Sequence, residues 1–157
     1  MPKGWINVQR LLFLCNGLIN HSTGLNQLTF LLPTVSQEPN LVISLLYQHL
    51  YTEFKSNKMR APTLYLQADN CYKENKNKYT LCFAALLVAW GWFNDVYMSF
   101  LPTSHTYEDI DWLFSFLHII LRLNKYNTLM DLINSVIPIA YNTTIKATTQ
   151  IHPILYN

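Results

Sequence analysis

Three side chains stand where phosphate chemistry could be done: Asp69, His105 and Asp111. Asp69 opens the stretch Asp69-Asn-Cys-Tyr-Lys-Glu-Asn-Lys-Asn77, which follows an extended apolar run, Thr63-Leu-Tyr-Leu-Gln-Ala68, and leads into an apolar helical segment. That order places a carboxylate at a strand end, on the rim where open α/β sheets bind ligands. A second acidic stretch, Ser104-His-Thr-Tyr-Glu-Asp-Ile-Asp111, follows the next apolar run. Carboxylates on neighbouring strand ends are a geometry that holds divalent metal at a phosphodiester. Each also has a plainer reading. Asp-Asn favours turns, so Asp69 could cap one. Asp111, with Glu108 and Asp109, could simply complement a helix dipole.

The polar followers divide in the same way. Asn70, Asn75 and Asn77 could orient water or phosphate, but a side-chain-to-backbone network that shapes the loop is the stronger reading. Lys76 could meet a phosphate or sit in solvent. Cys71 reads as a small buried residue, since no His neighbours it in sequence and a nucleophilic thiol needs a cationic setting. Trp90 and Trp92 read as core packing rather than as surfaces on which bases stack.

The elements that must position these residues follow from periodicity. Strands are expected over Trp5–Cys15, Gln27–Leu32, Leu64–Ala68 and Val96–Leu101, the second and fourth stopped by Pro33 and Pro102. Asn16-Gly17 reads as a turn or bulge. Helices are expected from Glu38-Pro39-Asn40 to about Ser56, from Lys78 to Trp92, from near Thr106 past Leu121, and from Leu129 to about Ala140 with Thr128 as its cap. The Lys78–Trp92 segment is apolar almost all round, which predicts burial on more than one side. Residues 141–157 show no clear period and read as an irregular tail. The fold class these elements imply is α/β, a mixed sheet with helices on its faces, in a single domain over residues 1–140.

Composition narrows the class. Half of the 157 residues are hydrophobic and 13% are charged, so the chain can bury a core and is not disordered. A net charge of +2 without a dense Lys/Arg block gives only a weak electrostatic footprint for nucleic acid. The small clusters Lys55, Lys58, Arg60 and Lys73, Lys76, Lys78 read as solvated faces. Three cysteines without paired spacing argue against a disulfide framework or a zinc site, and point to a reducing, intracellular location, nuclear or cytoplasmic. The longest charge-free apolar run, Tyr79 to Asn94, is too short to span a membrane.

The two acidic stretches together resemble a large eukaryotic family found in transposon-derived genes. Its members carry D-N-C-x-x-x-N-K-N and, about one helix and one strand later, G-H-T-H-x-D-x-D. The resemblance covers roughly residues 5 to 122 and includes Asn40-Leu-Val-Ile-Ser-Leu-Leu46 before the first motif. It implies an RNase H-like, integrase-type core whose ancestral reaction is Mg²⁺- or Mn²⁺-dependent cleavage or strand transfer on DNA. On that resemblance Asp69 and Asp111 are metal ligands, His105 orients water or phosphate, and Asn70, Asn75 and Lys76 contact phosphate. Two departures stand out: Ser104 replaces the motif's Gly, and Tyr107 its second His.

A third departure is larger. The RNase H-like pattern begins with a central strand bearing the first catalytic Asp, yet the acids before Asp69 are only Glu38 and Glu53, both assigned to a helix. The expectation is a core lacking its first central strand, inactive by itself, with an open sheet edge prone to self-association. The alternatives are a non-enzymatic interaction scaffold, or a transposon remnant without function.

Overall fold

In a computed structural model of the protein, residues 14–31, 38–56, 61–101, 109–126, 128–136 and 143–147 are described. Backbone contacts divide the chain into two compact units, one built from residues 1–35 and 106–150, the other from 36–105 and 151–157. The described elements form a mixed α/β structure with two small sheets and four helices. Among the described residues no helix is long and apolar enough to cross a membrane.

The first unit starts with a hairpin. β1 (Leu14–Asn20) pairs antiparallel with β2 (Leu25–Leu31), Cys15 opposite Phe30 and Asn20 opposite Leu25. The turn is made by residues 21–24. Gly24 adopts φ +69, a left-handed conformation that costs glycine nothing, and Asn20 Oδ1 accepts from the Ser22 amide at 3.1 Å. The reversal therefore lies later than the expected Asn16-Gly17, which runs inside β1. Gly17 is there for close approach: a Cβ on it would meet Ile110 Cδ1 at 2.7 Å and the Phe114 ring at 3.1 Å.

Ile110 and Phe114 belong to α3 (Asp109–Leu123), which packs on β1. Its Leu113, Leu117 and Ile120 recur at helical spacing and are buried with Leu28 and Phe30 of β2, as its apolar stripe predicts. α4 (Leu129–Val136) adds Leu132 and Ile133 to the same core. Its start is a capping box: Thr128 Oγ1 accepts from the Asp131 amide at 3.1 Å, and Asp131 Oδ2 accepts from the Thr128 amide at 3.0 Å. Residues 141–157 were expected to be irregular, but they contain β5 (Thr143–Ala147), which pairs parallel with β2. A five-residue strand of Thr, Ile, Lys and Ala has too little apolar alternation to announce itself; its partner decides it.

The second unit is a parallel strand pair under two helices. α1 (Pro39–Lys55) begins where Pro39 presets the helical φ. β3 (Thr63–Ala68) and β4 (Asp95–Phe100) pair in parallel, Tyr65 opposite Tyr97, and are joined through α2 (Lys78–Ala89). Ile43 and Leu50 of α1, Phe83 and Leu87 of α2, and Phe93 form the core, with Leu64 and Val96 packed beneath. Glu38 and Glu53 do lie on a helix, at the cap and in the last turns of α1.

α2 departs from expectation. It ends at Ala89, and Gly91 at φ +70 terminates it. Only Thr80, Phe83, Ala84 and Leu87 are buried, while Leu81, Leu86 and Val88 are exposed. Among the described residues α2 packs on α1 and β4 alone, so one stripe is covered rather than the whole circumference.

Candidate functional site

The structure places Asp69 at the carboxyl end of β3, one residue past Ala68, in a sheet whose two strands run parallel. The rim position inferred from the sequence is therefore present. Asp69 opens a tight loop held by its own side chains. Asp69 Oδ1 accepts from the Cys71 amide at 3.0 Å and from Asn75 Nδ2. Cys71 O in turn accepts from the amides of Asn75 at 2.9 Å and Lys76 at 3.0 Å.

Asn77 closes the loop and starts the helix. Its Oδ1 accepts from the amides of Tyr79 at 3.0 Å and Thr80 at 3.1 Å, which have no partner within the first turn of α2. Its Nδ2 donates backwards to Glu74 O at 3.1 Å. The Asn side chains of the motif thus act first on the loop, as the backbone-network reading expects. That explains the spacing. Asn75 must lie six residues after Asp69 to reach its carboxylate, and Asn77 must stand at the last non-helical position.

The carboxylate of Asp69 is consequently half used. Oδ1 is saturated by two donors and fixes the side chain, whereas Oδ2 accepts no hydrogen bond among the described residues. The residue is exposed. A fixed carboxylate with one free oxygen suits a hard cation that keeps most of its waters and takes the rest of its shell from substrate phosphates, as Mg²⁺ does. It does not by itself make a cage, and among the described residues no three His, Cys, Asp or Glu side chains come together to hold a metal ion.

Asn70 is exposed beside Asp69. Lys76 extends its ammonium to 5.6 Å from the Phe100 ring centroid, at the end of β4, a cation–π contact that keeps positive charge at the same rim. Cys71 is half-buried rather than buried, at the loop's base.

Asp111 belongs to the other unit, in the first turn of α3, where the helix N-terminus favours a negative charge. It is half-buried and makes no hydrogen bond or ion pair among the described residues. Asp109, two residues earlier, lies 3.9 Å from His21 Nδ1, with both side chains exposed. His105, and Thr106 as a cap of α3, lie outside the described residues.

Sequence reasoning missed an aromatic cluster in the second unit. Trp90 and Trp92 were expected in the core; Trp92 is half-buried and packs against it, whereas Trp90, just past the end of α2, is 47% exposed. They meet Tyr47, Tyr51 and Phe54 of α1. The signal was present: Tyr47 and Tyr51 stand one helical turn apart, and Trp-Gly-Trp puts two indoles around a residue suited to end a helix. On the outer face of the β3–β4 pair, Tyr65 and Tyr97 stack at 5.3 Å. In the first unit, burial pushes the Cys15 thiol up to about 12.

Comparison with curated proteins and with solved structures returns no match to either. Residues 3–155 match a family described as "Domain of unknown function (DUF7869)", and since the match spans nearly the whole chain, the protein belongs to that family.

Proposed function

We propose that the protein derives from an RNase H-like nuclease core of the transposase and integrase type, with Asp69 as a metal-facing carboxylate, and that this chain does not itself turn over DNA. One observation carries the reading. Asp69 sits at the carboxyl rim of a parallel strand pair, held through one oxygen and, among the described residues, without a hydrogen bond at the other. The strand–helix–strand of β3, α2 and β4 with its parallel pairing is in keeping with it, while the hairpin β1–β2 pairs in a separate sheet. Lys76 at the same rim suits a phosphodiester. Asp111 remains a candidate ligand on the resemblance of its motif alone, as does His105 for orienting water.

Inactivity is proposed because two-metal phosphoryl transfer clamps both the attacking and the leaving oxygen, and the acids that precede Asp69 in the sequence, Glu38 and Glu53, lie at the cap and in the last turns of α1 rather than on a strand. Titration calorimetry with Mn²⁺ tests the site: weak binding is expected, abolished by Asp69→Asn. A metal-dependent nuclease assay tests the chemistry, and turnover that Asp69→Asn removes would overturn the inactive reading.

A second reading, a non-enzymatic scaffold, is favoured by the apolar residues that α2 leaves exposed and by strand edges of β3 and β4 that have no partner among the described residues. Mn²⁺ silence combined with concentration-dependent self-association selects it.

A further inference from the structure

The end of α1 and the turn after α2 together build a surface that the metal reading leaves unused. Trp92 is its hub. Its ring lies 5.1 Å from Phe54 with planes 6° apart, 5.6 Å from Tyr47 at 25°, and 6.2 Å from Tyr51 at 24°. Tyr47 and Tyr51 are themselves 5.7 Å apart at 13°. Trp90 joins at 5.8 Å from Trp92, brought round by the left-handed Gly91. Tyr47 and Trp92 root the group in the core of the unit. Tyr51, Phe54 and Trp90 carry it to the surface, at 38%, 48% and 47% exposed.

Rings of this size gain most from being covered, yet here nearly parallel planes are left half open to water. A cation completes the surface: Lys55 Nζ stands 4.7 Å from the Tyr51 ring centroid. Lys58 and Arg60 follow it within five residues of sequence. The only acid in the last two turns of α1, Glu53, is buried. Ring faces beside positive charge match a ligand that is itself flat and anionic. An apolar protein face would offer the Lys55 ammonium no counter-charge.

We propose that this surface binds single-stranded nucleic acid, bases stacking on Tyr51, Phe54 and Trp90 and a phosphate meeting Lys55. The site is separate from the metal reading and does not depend on it, because no residue of the Asp69 loop takes part.

The test titrates the full chain with an oligothymidylate of about 20 nucleotides at low salt, reading tryptophan fluorescence and the anisotropy of a labelled strand. Saturable quenching is expected, weakening as salt rises. Trp90→Ala and Phe54→Ala should each weaken binding by about tenfold or more, and Lys55→Gln should flatten the salt dependence. Asp69→Asn should leave affinity unchanged, so failure of the nuclease reading does not disturb this one. Both aromatic positions are half exposed, and circular dichroism verifies that the variants fold. Three results overturn the proposal. The first is binding that ignores Trp90→Ala and Phe54→Ala. The second is duplex DNA competing as well as single strand. The third is no oligonucleotide binding, with self-association that the same substitutions abolish, which would assign the surface to a protein contact.

Discussion

The two units cover their strands differently. In the first, β2 is buried along Gln27–Leu31, and Leu28 and Phe30 are sealed by α3 and α4. In the second, the parallel pair β3–β4 packs Leu64 and Val96 inward but leaves Tyr65 and Tyr97 at 77% and 56% exposed. Parallel sheets almost always have both faces covered. The first unit buries β2 from Gln27 to Leu31, although α3 and α4 leave Trp112, Ile119, Leu123 and Met130 exposed. The second leaves its outer strand face uncommitted, together with the fixed carboxylate of Asp69. Features that bind tend to collect where packing is incomplete, because a side chain already covered has nothing left to offer a ligand.

Substitutions of similar size should separate the units most clearly. Phe30→Ala removes a fully buried ring and should cost about 3–5 kcal/mol, whereas Tyr65→Ala, on the open face, loses its stack on Tyr97 and should cost no more than about 1 kcal/mol. Urea unfolding measures both, and a Tyr65→Ala loss as large as that of Phe30→Ala would show that the outer sheet face is covered in solution.

A smaller effect is expected at the loop. Asn77→Ala removes the cap of α2 and should cost about 0.5–2 kcal/mol, with Asn77→Asp much milder because a carboxylate oxygen also accepts from the first-turn amides. Hydrogen exchange should show the loss concentrated in the first turn of α2. Equal deprotection across the second unit would mean that the loop is a keystone rather than a local clasp.

A pH-dependent effect lies in alkaline solution. The folded Cys15 thiol keeps its proton up to about 12, against an ordinary value of 9.0. Between those values the unfolded chain binds fewer protons than the folded one, so stability is full below about 9 and falls as pH rises towards 12. Other groups titrate there too, so the measurement is a difference: Cys15→Ala should show a shallower alkaline loss of thermal stability than the parent chain. Parallel curves would place the thiol in water.

Much of the fold was legible because its signals are local. Pro39 marks the start of α1. The apolar face of α3 legible as Ile110, Leu113, Phe114, Leu117 and Leu121 does pack on the core, with Ile120 beside it as an addition. The Asn-rich motif predicts a loop braced by side chains, and Asp69 at a strand end needs only the strand before it and the turn preference of Asp-Asn. Gly17 shows the opposite case. Asn16 and Gly17 together read as a turn, but the helix that demands a missing side chain lies more than ninety residues away in sequence. β5 is the same: a weak strand made real by β2.

The sequence by itself determined the alternation of strands and helices, the stop and start points set by proline, glycine and asparagine, and the carboxylate at the end of β3. These depend on backbone preference and hydrogen bonds within a few residues. Only the tertiary structure decided which face of α2 is covered, why β1 needs Gly17, and that of two tryptophans expected in a core Trp92 packs against it while Trp90 stands at a surface with Tyr51 and Phe54. Burial depends on what another part of the chain brings alongside, and periodicity records only that a face is apolar, not whether anything arrives to cover it.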